Sequence, residues 1–122
     1  MIDHSGVMVT DIKRSADFYK QALAALGYEE LMNFGDAVGL GEKKKPDFWL
    51  YKGTPKDKLH FAFRAASRTQ VKAFYDAAIA AGGKDNGAPG VRPHYHEHYY
   101  GAFVLDPDGH NIEAVCHEPY LG

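Results

Sequence analysis

The chain has 122 residues and a formal charge of −2, with 45% hydrophobic and 25% charged residues. That is the length and balance of one globular domain with its own core, and the slight negative charge excludes a protein that tracks nucleic-acid phosphates by bulk positive charge. No apolar run approaches the roughly 18 residues of a membrane span, Met1-Ile2-Asp3-His4 lacks the basic and apolar blocks of an export signal, and a single Cys116 excludes an internal disulfide, so a cytoplasmic protein without membrane or nucleic-acid partners is expected.

Ile2–Val9 is a short β-branched run and reads as the opening strand. Asp11 is a natural N-cap, and Ile12, Ala16, Tyr19, Ala22, Leu23 and Leu26 follow with helical period up to Gly27. Three strands are predicted next, about Tyr28–Phe34, Ala37–Gly41 and Phe48–Lys52, separated by turn-forming residues. Lys43-Lys44-Lys45-Pro46 reads as a solvated turn. Leu59–Ala65 is a fifth strand, and Ser67-Arg68-Thr69-Gln70 is a capping-box pattern opening a second helix with Val71, Phe74, Tyr75, Ala78 and Ile79 on one face. Gly82-Gly83 suits its C-terminus. Strands near Lys84–Asn86, Tyr99–Leu105 and Asn111–His117 complete the chain, the last two joined by the turn Asp106-Pro107-Asp108-Gly109. Residues 87–98 form the longest irregular stretch and are the expected mouth or lid of a site.

The chain is written twice. A shift of 56 positions superposes His4 on His60, Phe18-Tyr19 on Phe74-Tyr75, Ala22 on Ala78, Ala24-Ala25 on Ala80-Ala81 and Gly27 on Gly83. Helical composition explains the alanines, but not a histidine, an aromatic pair and a glycine in one register. The expectation is an α+β domain over residues 1–122 of two β-α-β-β-β modules, one about 1–57 and the other about 58–122.

Strand alternation selects the residues for chemistry. Leu59, Phe61 and Phe63 form an apolar face, which leaves His60, Ala62 and Arg64 on the other. The repeat makes His4 the equivalent of His60, and two imidazoles related by pseudo-symmetry suit a divalent ion of the Zn, Ni, Mn or Fe kind. Glu113 sits in the otherwise apolar Asn111-Ile112-Glu113-Ala114-Val115. It is either a third, anionic ligand or an edge-strand residue facing water. Trp49 and Tyr51 share a face and form either an aromatic wall for a ligand or part of the core. His94, His96 and His98 alternate and, if extended, face one way. His96, His98 and Tyr100 are candidate proton-transfer groups, Arg92 is a candidate substrate contact, and His117 shares the face of Glu113. Cys116 points the other way and is expected to pack as a small buried residue.

These residues bring the chain to a family. His4, the pattern Asp11…Phe18-Tyr19…Leu23…Gly27, His60, and above all Gly101-Ala102-Phe103…Asp106-Pro107-Asp108-Gly109-His110-Asn111-Ile112-Glu113 resemble the vicinal oxygen chelate superfamily over essentially the whole chain. That superfamily contains glyoxalase I, extradiol dioxygenases, fosfomycin-resistance transferases and bleomycin-resistance proteins. The resemblance implies paired modules forming an open cup-shaped barrel. It matches His4, His60 and Glu113 to the metal-ligand positions, and it implies a small substrate chelated through neighbouring oxygens. Pairing of modules between chains, hence a homodimer, is expected. One departure stands out: where four-ligand glyoxalase I enzymes carry a carboxylate or glutamine on the fourth strand, this chain has Trp49. The reading is a metal-dependent lyase, transferase or dioxygenase without ordinary glyoxalase I activity. Its rival is a metal-free protein whose aromatic cup sequesters a drug or metabolite.

Overall fold

The computed structural model describes residues 1–119. In chain order it contains β1 (Ser5–Val9), α1 (Ile12–Ala24), β2 (Glu29–Asn33), β3 (Ala37–Gly41), β4 (Phe48–Lys52), β5 (His60–Arg64), α2 (Arg68–Ala80), β6 (Lys84–Val91), β7 (Tyr100–Leu105) and β8 (Asn111–Cys116). The sheets have the orders β1-β4-β3-β2 and β5-β8-β7-β6. In each, the first strand runs parallel to the last and the other pairs are antiparallel. This is the expected α+β pair of βαβββ modules, with both sheets unclosed.

The helices start where their caps dictate. Asp11 accepts from the Arg14 N–H at 3.0 Å, and Ser67 accepts from the Gln70 N–H at 3.2 Å. Gln70 returns its side-chain oxygen to the Ala66 N–H at 2.7 Å, one residue before the position a standard capping box would use. Each helix covers one face of its own sheet, and the two helices pack on each other. The helix-covered faces therefore share a single core. Phe48 of β4 meets Phe61 and Phe63 of β5 edge-on at 5.2 and 5.1 Å, which joins the modules through aromatic contacts.

A polar seam also joins them, built from the Asp106–Gly109 turn. Buried Asp106 accepts from the Tyr19 hydroxyl and from the N–H groups of Asp108 and His110. Asp108 accepts from the Thr10 hydroxyl at 2.6 Å and the Thr10 N–H at 3.1 Å. His110, 1% exposed, has Nδ1 3.0 Å from the Leu59 N–H and Nε2 3.1 Å from the Met8 carbonyl. Those contacts fix Nδ1 as the acceptor and Nε2 as the donor, and they tie the end of β1 to the start of β5.

Two predicted boundaries move by several residues. β1 begins at Ser5, not Ile2, because its partner β4 begins at Phe48, just after Pro46; the last backbone bond is Ser5 N–H to Asp47 C=O at 2.9 Å. His4 therefore precedes the ladder. β6 continues to Val91 instead of ending near Asn86, by way of register shifts at Asp85/Gly87 and Gly87/Gly90. It is an edge strand, where Pro89 is tolerated.

Candidate functional site

The open face of the second sheet carries the densest chemistry. Register places Ala62 and Phe103 on either side of Glu113, and His60 beside Asn111. Glu113 is 1% exposed, whereas the His60 side chain is 54% exposed. His60 Nε2 lies 2.8 Å from Glu113 Oε1, and the Tyr99 hydroxyl donates to Glu113 Oε2. Burial and the bond to Glu113 push the Tyr99 phenol up from its ordinary value. Gly101 makes room for this bond, since a Cβ there would lie 3.1 Å from the Tyr99 ring and 3.4 Å from Glu113 Oε2. The Phe103 ring stands 6.3 Å from the His60 ring, and Arg92 lies over the Phe103 ring with Cζ 5.5 Å from its centroid. Between the edge strands β1 and β5 a cleft of about 480 Å³ opens, with His60, Arg64, Asp3, Asp47 and Tyr28 among its lining.

The first sheet turns a different surface outward. Phe34, Trp49 and Tyr51 stack in a row, with centroids 6.2 and 6.3 Å apart, and Phe34 is 72% exposed. Met8 and Met32 are also exposed. Trp49 and Tyr51 thus lie outside the buried core cluster.

The profile of the Glyoxalase/Bleomycin resistance protein/Dioxygenase superfamily matches residues 1–114. The chain belongs to that superfamily. A glyoxalase/bleomycin resistance protein from Albidiferax ferrireducens T118 is 29% identical, with a TM-score of 0.81 over 96% of this chain and 98% of its own. A glyoxalase/bleomycin resistance protein/dioxygenase family enzyme from Burkholderia phytofirmans PsJN shares the fold at 21% identity, TM-score 0.74, over 96% and 98% of the two chains. A glyoxalase-related enzyme from Fulvimarina pelagi does so at 17% identity, TM-score 0.74, over 95% and 87%. No curated protein matches the chain significantly.

Within this member of the superfamily, His60 and Glu113 come together and His4 does not join them. His4 Nδ1 is 2.8 Å from Asp3 Oδ1, and this bond, together with Lys45, holds the Asp3 carboxyl below its usual range. Among the described residues no three His, Cys, Asp or Glu side chains converge on one point. Tyr100 is buried beside Ala102 and Val104 on the helix-covered face, with Arg68 over its ring. Its neighbour Tyr99 faces Glu113 instead. The signal was present in the alternation, since Tyr100, Ala102 and Val104 share one face, while Tyr99, Gly101 and Phe103 share the other.

The histidines of the loop are not on an extended segment. Residues 92–99 fold into successive turns, with Tyr95 N–H to Arg92 C=O at 3.0 Å and Tyr99 N–H to His96 C=O at 3.2 Å, so His94, His96 and His98 do not line one extended face. His96 sits edge-on to His117 at 5.7 Å, and His117 is edge-on to Tyr99 at 5.3 Å. His98 stands 3.9 Å from Glu97, and His94 lies against Tyr95. Cys116 is buried, as expected.

Proposed function

We propose that the protein is a metal-dependent enzyme acting on a small oxygenated substrate chelated through neighbouring oxygens. The observation that carries this reading is the His60–Glu113 pair. A carboxylate 1% exposed, whose one ionic neighbour among the described ion pairs is an imidazole, is costly without a cation. Its 2.8 Å separation from His60 Nε2 is close to the roughly 3 Å between adjacent ligands that each stand about 2.1 Å from one ion. The donor chemistry therefore fits a borderline divalent metal on two of its three expected ligands.

The third, His4, would come from a second copy of the chain. His4 is the pseudo-symmetric counterpart of His60, its side chain is 58% exposed, and it lies on the module whose open face is bare. Laying the first sheet of one copy against the second sheet of another completes two equivalent cups and covers the row Phe34-Trp49-Tyr51. A metal bound there supplies Lewis-acid polarisation of the chelated oxygens. The chain's own groups do the rest. Tyr99 holds Glu113 in place by its hydroxyl, Phe103 walls the cup beside His60, and the loop carrying His96 and His98 borders its mouth.

Protein purified without a histidine tag should contain about one divalent ion per chain by elemental analysis. His4→Ala and His60→Ala variants should each lose it. Co-purified heterodimers of the two variants should recover one site per dimer, because one of their two cups then keeps both histidines. A monomer in light scattering across micromolar concentrations overturns the shared site. The rival reading, a metal-free binding protein, is favoured by the exposed aromatic row, and metal-free protein whose stability ignores added ions would support it.

A further inference from the structure

We infer that Arg92 anchors an anionic group, a carboxylate or phosphate, on the ligand of the His60–Glu113 cup, so that the site takes oxygenated acids rather than neutral carbonyl compounds. The inference rests on reading this cup as the ligand site, but not on the metal. The guanidinium lies in a cradle built for it. A Cβ at Gly90 would stand 3.0 Å from one terminal nitrogen, and a Cβ at Gly87 would stand 3.3 Å from the other and 2.9 Å from Phe103. Two glycines on β6 thus clear the space into which the side chain folds back. Phe103 supports its plane from below at 5.5 Å.

The cradle leaves the charge unspent. A guanidinium carries five N–H donors, and Arg92 commits one nitrogen, Nη2, to the Ala88 carbonyl at 2.9 Å. None of the ion pairs among the described residues neutralises it. The same Phe103 ring that carries Arg92 lies beside His60 and pairs in register with Glu113. The polar pair His60–Glu113 and the guanidinium of Arg92 are thus both neighbours of the single aromatic side chain Phe103. A planar fork accepts a carboxylate or phosphate through two parallel bonds.

The test uses two matched pairs of ligands on Ni²⁺-loaded protein, by calorimetry: 2-hydroxybutyrate against 2-hydroxyglutarate, and glycerate against 3-phosphoglycerate. Each pair keeps the hydroxy-acid end and adds one distal anion, so the pairs distinguish a carboxylate from a phosphate. At least one added anion should tighten binding about tenfold or more. Arg92→Gln should abolish that increment and leave the shorter acids unchanged, and Arg92→Lys should recover only part of it. A parallel titration with inorganic phosphate follows the Arg92 Nε–H resonance of metal-free wild-type protein, where a saturable shift is expected. Protein that takes up no metal yet shows this shift refutes the proposed enzyme and leaves Arg92 as an anion site. An Arg92 resonance indifferent to phosphate, or an anion increment that survives Arg92→Gln, overturns the inference.

Discussion

Replacing Glu113 with Gln separates the two things a buried carboxylate can be for. The side chain keeps its size and one acceptor oxygen for Tyr99, but loses its charge. In metal-stripped protein the change should be small, because two effects oppose each other. The charge-assisted bonds from Tyr99 and from half-exposed His60 are worth about 1.5–3 kcal/mol each, and removing an ion from a site 1% exposed returns a desolvation cost of several kcal/mol. The net is expected within about 1 kcal/mol. With metal present at a hundred times its dissociation constant, the wild type gains about 2.7 kcal/mol, a rise of roughly 10 °C for a domain of this size. Glu113→Gln should gain almost none. Thermal melts of both proteins, stripped with chelator and then titrated with Zn²⁺, Ni²⁺ or Mn²⁺, read both arms. Equal metal-dependent shifts in the two proteins would refute the role of Glu113, and no shift in either would refute the metal.

His110→Ala should lower stability by about 1–3 kcal/mol in urea unfolding, since it removes a buried side chain and takes their partner from the part-buried Leu59 N–H and Met8 carbonyl. His110→Asn returns an acceptor near Nδ1 and should recover part of that, so equal losses from Ala and Asn would contradict the assigned tautomer. Tyr19 and Tyr28 have phenols raised by burial and by their bonds to Asp106 and Asp47. Their folded values lie above the unfolded value of 10.0, so their stabilising contribution is full below that pH and is lost as pH rises through the folded values. Absorbance at 295 nm should therefore show them ionising only as the protein unfolds in alkali. Metal-loaded protein should turn over methylglyoxal with glutathione poorly, because Trp49 cannot act as a general base and a missing base costs about 10²–10⁴-fold. Trp49→Glu should raise any trace rate, and robust turnover by the wild type would assign the base elsewhere.

Much of this fold was legible in the pattern of residues. The caps at Asp11 and Ser67, the strands Ala37–Gly41 and Phe48–Lys52, and the Asp106–Gly109 turn are local events governed by a few neighbouring residues. The repeat assigned His4 and His60 to equivalent places, yet equivalence within modules says nothing of how two modules are set against each other. That setting is decided by contacts such as Phe48 with Phe63, which no local pattern encodes. The pair Tyr99–Glu113 was missed for a different reason. Tyr99 and Tyr100 are adjacent, and only the phase set by Ala102 and Val104 distinguishes them. Arg92 was a candidate on its charge alone, and the cradle that makes it specific depends on how β6 shifts register at Gly87 and Gly90.

The polar seam has a consequence for how the chain acquires its structure. The Thr10–Asp108 bonds span 98 residues and the Met8–His110 contact spans 102. During synthesis the amino-terminal half is therefore exposed long before the turn that locks it exists. Its sheet can pair locally, but Val7, Val9 and Phe48 wait for partners that emerge later. Contacts closed over such distances form slowly and leave apolar surface open in the interval. A half-length product is thus expected to cling to other chains instead of persisting as a small folded unit, and the duplicated sequence behaves in folding as one indivisible piece.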